Sequence, residues 1–254
     1  MKKKKVIKQI LITPTIGKKL IAKAVAELPE VKNALQNKTV VIIAGTTNGF
    51  VAEEILNKIG QDSDFSRENF YRGITFPPDV NKNNKFYNKE KFPGDVIINQ
   101  GEWKKGKTIH EVADDLEEGD IIFKGANALN LETKTAGIYI GDPKGGTINK
   151  ALQAVVGRRT KLYLPIGLEK RVYGNINKIA KKINNPQTSG PRMMVVNGEV
   201  ITEIEAINIL TGANAELVAA GGVDGAEGSY YLAVSGEKGK VKKSKNIIKQ
   251  LYND

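Results

Sequence analysis

Apolar residues recur at helical spacing in some segments of the chain and form short continuous runs in others. In the first segment, apolar positions three or four residues apart predict an amphipathic helix that ends at Pro29: Ile16, Leu20, Ile21, Ala24, Val25 and Leu28. The next run, Thr39–Ala44, is continuous and largely β-branched, which is typical of a strand covered on both faces. Residues 45–49 are glycine-rich, and a helical period resumes from 50 to 59. This first unit is therefore predicted as strand, glycine turn and helix.

The same alternation continues to residue 165. Apolar runs predict strands at residues 95–99, 120–123, 137–140 and 161–165, and helical periods predict helices at 108–117 and 147–156. Residues 61–94 are polar and interrupted by prolines, so we expect a long loop with little regular structure. Strands that alternate with helices predict an α/β fold: a Rossmann-like layered core with a mostly parallel sheet.

The rhythm changes after Arg171. A helix is predicted at residues 173–182, and the Asn-, Ser-, Gly- and Pro-rich residues 184–191 are typical of a linker. Beyond it, the pattern predicts a strand at 193–196, a helix at 202–210, strands at 216–220 and 229–235, and a lysine-bearing helix to 252. Two adjacent strands flanked by helices indicate a small α+β, ferredoxin-like subdomain. We therefore divide the chain into an α/β ligand-binding core, residues 1–188, and a small subdomain, residues 189–254.

The positive charge of the chain is concentrated at its two ends. The net charge is +11, but residues 1–23 carry +8 and residues 238–254 carry +5, which leaves residues 24–237 at −2. Lysine-rich ends on a nearly neutral body are typical of solvated termini, so nucleic acid is not the expected partner. The absence of cysteine excludes disulfides, thiolate metal sites and cysteine nucleophiles. The single histidine, His110, cannot by itself form a multi-histidine metal site, and we expect neither a metal nor a cofactor.

The first residues resemble the basic start of a signal peptide. However, Lys8 and Gln9 interrupt the apolar stretch that would have to follow, and no cleavage site of small residues closes it. No apolar run approaches the length of a membrane span. We therefore expect a cytoplasmic protein that does not interact with membranes.

Residues Gly101–Thr108 match the phosphate-loop pattern G-x-x-x-x-G-K-[ST] between an apolar run and a predicted helix. A phosphate loop wraps small residues around the ligand, whereas Trp103 and two lysines occupy the wrap here. No acid follows the neighbouring strands to hold Mg²⁺. The segment fits a charged surface hairpin equally well, and a nucleotide-binding protein stays an alternative.

Three turns after predicted strands are better candidates for binding an anion. The first is Gly45-Thr46-Thr47-Asn48-Gly49, which opens a helix and supplies free N–H groups and hydroxyls. An ordinary strand-to-helix turn is the alternative interpretation of these residues. The other two turns follow the predicted strands at 120–123 and 137–140, and each carries a lysine: Lys124, Gly125, Ala126 and Asn127 in one, Lys144, Gly145, Gly146 and Thr147 in the other. Open α/β sheets bind ligands at such strand ends.

The order of a Gly-Thr-Thr turn, a Gly-Ala-Asn turn and a Lys-Gly-Gly turn resembles the fold shared by ribose-5-phosphate isomerases, sugar-phosphate-sensing repressors and acyl-CoA transferases. The resemblance covers most of the chain, including the small subdomain. It implies that Thr46 and Thr47 contact a phosphate, and that Lys144 corresponds to the lysine of the third turn. The isomerases have aspartates in the second turn, where this chain has Lys124 and Asn127.

The isomerases also have a catalytic glutamate after the third turn, where this chain has Asn149 and Lys150. Isomerisation of an aldose needs a base to take a proton from carbon, and a protonated lysine cannot act as one. The catalytic residues are therefore unknown, with Asp142 and Lys144 as the candidates. Four acids fall in predicted turns: Glu132, Asp142, Asp224 and Glu227.

The sequence thus predicts a protein that binds a small phosphorylated or otherwise anionic metabolite at glycine turns. Whether it is an isomerase-like or transferase-like enzyme stays open. A non-catalytic metabolite sensor is the alternative from a different class. Metabolite-binding proteins of this layout are often symmetric, so we expect a homo-oligomer.

Overall fold

The computed structural model describes residues 5–72, 75 and 92–253. The strands, in chain order, are β1 (Lys5–Ile12), β2 (Thr39–Ile42), β3 (Val96–Asn99), β4 (Glu102–Trp103), β5 (Ile121–Phe123), β6 (Ala128–Asn130), β7 (Thr135–Ile140), β8 (Lys161–Pro165), β9 (Arg192–Val196), β10 (Glu199–Ile201), β11 (Asn214–Gly221) and β12 (Ser229–Glu237). The α-helices are α1 (Pro14–Glu27), α2 (Pro29–Asn37), α3 (Thr46–Lys58), α4 (Ile109–Val112), α5 (Gly146–Arg158), α6 (Ile176–Ile183), α7 (Glu203–Thr211) and α8 (Lys238–Asn253).

A six-stranded sheet forms the centre of the fold, in the order β10-β8-β5-β2-β3-β4. The first four strands run parallel to one another, with Val41 of β2 opposite Ile122 of β5. Strands β3 and β4 are antiparallel and complete one side of the sheet. The prediction of a mixed α/β fold with a mostly parallel sheet is confirmed.

Both faces of this sheet are covered by helices, as its continuous apolar strands require. Alternate residues of β2 point to opposite faces. Val40 and Ile42 belong to a core shared with α1, α2, α3, α7 and α8, whereas Val41 and Ile43 belong to a second core shared with α4 and α5. The period of two along the strand therefore assigns each of its side chains to one of two apolar layers.

Two smaller sheets extend the molecule, and they contain the main departures from prediction. Strand β1, where we predict only a lysine-rich end, pairs antiparallel with β12 in the sheet β1-β12-β11. Strand β7 is expected in the parallel core but pairs antiparallel with β6 and β9. An apolar run does not specify its partner, so periodicity could not assign β7 to a sheet.

Strands from both sides of the predicted boundary at residue 188 share all three sheets. Strand β12 pairs with β1, β10 with β8, and β9 with β7. Each of the three sheets therefore contains strands from before and after residue 188. The sheet that holds β11 and β12 has three strands, β1-β12-β11. The division into two domains and the ferredoxin-like architecture stay predictions.

Local sequence signals fix several helix ends. Thr13 precedes α1 and accepts a hydrogen bond from the Ile16 N–H at 3.3 Å, with Pro14 in the first turn. Thr202 and Glu205 form a capping box at the start of α7. The helix predicted at residues 108–117 is shorter than expected, since only Ile109–Val112 are helical.

Much of the predicted loop at residues 61–94 lies outside the described residues. In its described part, Arg67–Asn69 form one short 3₁₀ turn. Among the helices that the structure describes, none combines the length and hydropathy that crossing a bilayer requires.

Candidate functional site

The candidate site lies at the carboxyl ends of the parallel strands β2, β5 and β8. The turn after β2 begins α3, Lys124 follows β5, and the 3₁₀ turn Leu168–Lys170 follows β8. The Lys124 N–H donates to the Tyr163 carbonyl at 3.0 Å, which holds the start of its turn against β8. Three chain segments that are distant in sequence therefore meet at one edge of the sheet.

Asn48, expected to contact a ligand, instead connects two strand ends. Its side chain is fully buried, and its Nδ2 donates to the carbonyls of Ile43 at 2.7 Å and Phe123 at 3.1 Å. The amide hydrogens are thus used inside the protein. Asn48 Oδ1 is buried and has no hydrogen-bond partner among the described residues.

Thr47 contacts a lysine that sequence analysis does not identify. The Lys170 Nζ donates to the buried Thr47 Oγ1 at 3.2 Å. Burial lowers the pKa of Lys170, and Lys18 acts in the same direction, whereas Glu169 and Glu203 oppose the shift. This hydrogen bond brings an ammonium group to the first turn of α3, where unpaired N–H groups favour an anion.

The Asp95 carboxylate joins three chain segments at the site by hydrogen bonds. Its carboxylate is buried and accepts hydrogen bonds from the N–H groups of Ala44 at 2.9 Å and Ile109 at 2.8 Å. Arg72 binds the same carboxylate through two nitrogens, at 2.5 and 3.0 Å, and packs over the ring of Phe92. The positive charge of Arg72 is therefore matched by Asp95, which has no remaining role as a free base.

Lys124 differs from most lysines of the chain in its surroundings. Its side chain is only partly exposed, and it forms no ion pair with a carboxylate of the described residues. Burial, together with Arg72 and Lys170, lowers the pKa of Lys124 to about 8, and Asp95 partly opposes the shift. Lys124 therefore stands among cations, with its nearest acid already bound to an arginine.

Two glycines of the predicted site border open space. A Cβ placed at Gly45 or Gly125 would meet no heavy atom of the described residues within 4 Å. A Cβ at Gly49, in contrast, would lie 3.3 Å from the Arg67 side chain. Gly49 is therefore packed inside the protein. The first two glycines leave room for a ligand beside the strand ends.

A second buried polar cluster lies behind Lys170. Glu203 is fully buried, its Oε2 accepts the Leu168 N–H at 3.0 Å, and its Oε1 has no hydrogen-bond partner in the described chain. Burial, together with the neighbouring Glu169, raises the pKa of Glu203 to about 7. Burial also raises the pKa of Tyr230, whose hydroxyl lies beside Glu203.

The third predicted turn has a different setting. It follows β7, which belongs to another sheet, and Lys144 is exposed. Asp142 Oδ1 accepts the Lys144 N–H at 2.6 Å, and Asn149 Nδ2 donates to the Lys144 carbonyl at 3.1 Å. Gly145 and Gly146 have left-handed φ angles of 83° and 62° at the start of α5, where Thr147 is half-buried. No residue of this turn is among those that shift the pKa of Lys124, which are Arg72, Asp95 and Lys170.

The remaining residues of the first two turns divide between surface and interior. Thr46 is exposed, and Ala126 is buried in the core with α4 and α5. Asn127 Oδ1 accepts the Tyr139 N–H at 3.0 Å and so ties its turn to β7. Of the predicted ligand-binding residues, the structure brings Thr47, Gly45, Lys124 and Gly125 to one edge of the sheet.

The phosphate-loop match has the geometry of a hairpin. Glu102 pairs with Asn99, Trp103 pairs with Ile98, and the helix that follows has four residues. The Trp103 side chain is buried, and its backbone N–H donates to Gln61. The segment therefore does not wrap around a central space as a phosphate loop does.

The other titratable candidates do not form a site. Glu132, Asp142, Asp224, Glu227 and His110 are exposed. Within the described ranges, no group of three or more histidine, aspartate or glutamate residues is placed to hold a metal ion.

Four residues of the site are not among the predicted ones: Arg72, Asp95, Lys170 and Glu203. A signal existed for Asp95, since a charged residue directly before a fully apolar strand needs a specific partner when buried. For the other three, the contacts depend on chain segments far apart in sequence.

Comparison with known proteins gives no family for this chain: no family model, no curated protein and no solved structure matches it.

Proposed function

We propose that the protein binds a small phosphorylated metabolite at the carboxyl ends of β2, β5 and β8. The observation that carries the proposal is the hydrogen bond from Lys170 to Thr47 in the first turn of α3, next to Lys124 at the end of β5, whose pKa Lys170 helps to lower. Neither lysine is ion-paired with a described carboxylate. A phosphate group brings nearly two negative charges and several acceptor oxygens. It would complement both ammonium groups and the helix N-terminus together.

Charge balance supports an anion over a neutral ligand. Asp95 and Arg72 neutralise each other, so Lys124 has no free carboxylate partner among the described residues, whereas Glu169 and Glu203 act on Lys170. Keeping the partly buried Lys124 ammonium without an ion pair is unfavourable unless an anion joins it. The open space beside Gly45 and Gly125 supplies a place for it.

We also propose that the core is Rossmann-like and related to the ribose-5-phosphate isomerase superfamily. Its support is the position of the Gly-Thr-Thr turn after β2 and of the Lys-Gly-Ala-Asn turn after β5, two neighbouring parallel strands. The missing glutamate after the third turn argues against the chemistry of those isomerases. Turnover would make the protein an enzyme, whereas tight binding without turnover would favour the metabolite sensor.

Calorimetric titration tests the binding proposal with three probes: ribose 5-phosphate, inorganic phosphate and ribose. We expect both phosphates to bind, more weakly at high salt, and ribose to bind negligibly. Lys170→Met should weaken phosphate binding by about ten-fold, which corresponds to about 1.4 kcal/mol. Gly125→Val should abolish binding by filling the open space while the fold is retained.

Lys107→Met is the matched control, since Lys107 is the exposed lysine of the phosphate-loop match. We expect phosphate affinity to be unchanged in this variant. If ATP–Mg²⁺ binds and only Lys107→Met abolishes its binding, the nucleotide-binding alternative replaces the proposal. Lys144→Met decides separately whether the third turn belongs to the site.

A further inference from the structure

Lys124 has chemical properties that binding an anion does not require. A lysine that only attracts phosphate needs a permanent positive charge, which burial and neighbouring cations disfavour. Lys124 is instead partly buried, and its backbone is fixed between β5 and β8 by the hydrogen bond to Tyr163. The turn that carries Lys124 is therefore fixed beside the open space at Gly125.

The neighbours of Lys124 favour its neutral form. Arg72 and Lys170 lie close enough to lower its pKa, and burial lowers the pKa more. Asp95 opposes them, but its carboxylate is already bound by Arg72 and two backbone N–H groups. Lysines placed beside other cations or away from water are those that proteins use as nucleophiles towards carbonyl groups.

Lys124 and Lys170 also have separable roles. Lys170 is bound to Thr47 at the start of α3, which is the anion-binding end of the site. Lys124 follows the neighbouring strand β5. A ligand whose phosphate lies at Lys170 would thus place another part of the same molecule towards Lys124.

We propose that Lys124 forms an imine with a small aldehyde or ketone that carries a phosphate group. The proposal rests on the proposed function, since the phosphate is what brings the carbonyl to Lys124. The neutral amine would attack the carbonyl carbon, and the nitrogen would pass a proton to the carbonyl oxygen, giving a carbinolamine. Loss of water from that adduct then forms the carbon–nitrogen double bond, and no oxidant or reductant is needed.

Reductive trapping tests this proposal with the full-length protein. Pyridoxal 5′-phosphate serves as the probe because it is an aldehyde with a phosphate; it is a reporter and not a proposed cofactor. Borohydride reduces an imine to a stable secondary amine, which peptide mass spectrometry assigns to one lysine. We expect Lys124 to be labelled at least about ten-fold more than Lys107, the exposed control, near neutral pH.

Two variants separate charge from nucleophilicity. Lys124→Arg keeps the positive charge but cannot form an imine, so the label at position 124 should be lost, whatever the change in affinity for inorganic phosphate. Lys107→Met should keep the label on Lys124. Labelling at Lys124 should reach half its maximum near pH 8.

The outcomes distinguish this proposal from the binding proposal. If inorganic phosphate binds but the label is spread over surface lysines, the imine proposal is wrong and the anion site stands. If Lys124 is labelled but neither inorganic phosphate nor Lys170→Met reduces the labelling, Lys124 is reactive without the phosphate site, and the proposed substrate class is wrong.

Discussion

The Lys170 ammonium donates a hydrogen bond to the Thr47 hydroxyl across the space between the ends of β8 and β2. The contact joins a 3₁₀ turn to the first turn of α3, and both partners are largely withdrawn from solvent. The Thr47 hydroxyl oxygen is thus the atom of α3 that positions the Lys170 ammonium.

Thr47→Val should expose that dependence. The substitution preserves shape but removes the acceptor, so we expect a loss of about 1–3 kcal/mol in the free energy of unfolding and weaker binding of inorganic phosphate. Urea denaturation and calorimetry measure the two effects. Thr47→Ser, which retains the oxygen, should keep most of the phosphate affinity; equal affinities in the two variants would contradict a role for the hydroxyl.

Asp95→Asn should be more destabilising than Asp120→Asn. Both aspartates are buried and accept two backbone N–H groups, which for Asp120 are those of Thr39 and Glu117. Only Asp95 also binds Arg72. Removing one charge of a buried pair costs about 3–5 kcal/mol, whereas loss of hydrogen bonds alone costs about 1–3 kcal/mol.

Urea denaturation of both variants at neutral pH measures this difference. Equal losses in the free energy of unfolding would show that the arginine adds nothing to the two backbone hydrogen bonds. Retention of the far-UV circular dichroism signal is required for the comparison to hold.

Glu203 should make the stability of the protein fall between mildly acidic and neutral pH. Burial raises its pKa from 4.5 to about 7, so the folded chain holds a proton that the unfolded chain releases. The stabilisation from this group is complete below about pH 4.5 and is lost as the pH rises through about 7. The full shift corresponds to about 3 kcal/mol.

Glu203→Gln removes this titration while retaining an acceptor for the Leu168 N–H. We expect the variant to lose that part of the pH dependence and to gain stability over the wild type above pH 7. Denaturation at a series of pH values measures it. Glu132→Gln, at an exposed position, should follow the wild-type curve, and identical curves for all three proteins would refute the assignment.

Gly17→Ala should destabilise the protein although alanine favours helices. A Cβ at Gly17 of α1 would clash with Glu203 Oε1 and with the Tyr230 hydroxyl. Overpacking of this kind costs about 1–3 kcal/mol. Gly157→Ala in α5, where a Cβ meets no described atom within 4 Å, should instead raise the melting temperature.

Adding Tyr230→Phe to the Gly17→Ala variant removes one of the two clashing oxygens. We expect the double variant to recover part of the lost stability. Two independent, additive losses would mean that Gly17 does not contact this pair.

The strands and turns of the central sheet could be predicted because their signals are local. Continuous apolar runs identify β2, β5 and β8, and the glycine turn marks the start of α3. The position of Lys124 follows from the end of β5 alone. The lowered pKa of Lys124 does not follow from the sequence, because Arg72 and Lys170, which help to lower it, are far from Lys124 along the chain.

The assignment of β1 and β7 required information that periodicity does not contain. Most residues of β1 are exposed or half-buried, and its lysines interrupt the apolar pattern from which a strand would be predicted. Its pairing with β12 joins the two ends of the described chain. Strand β7 has the apolar character of a core strand, but its partners β6 and β9 are antiparallel.

The pairing of β1 with β12 has a consequence for biosynthesis. Ile12 pairs with Tyr230, so ribosomes must translate more than two hundred further residues before β1 gains its partner. At ordinary elongation rates this leaves an unpaired, partly apolar strand waiting for on the order of ten seconds or more. Lys5 and Lys8 lie within that strand, and charges at such positions discourage it from adding to the strands of other nascent chains.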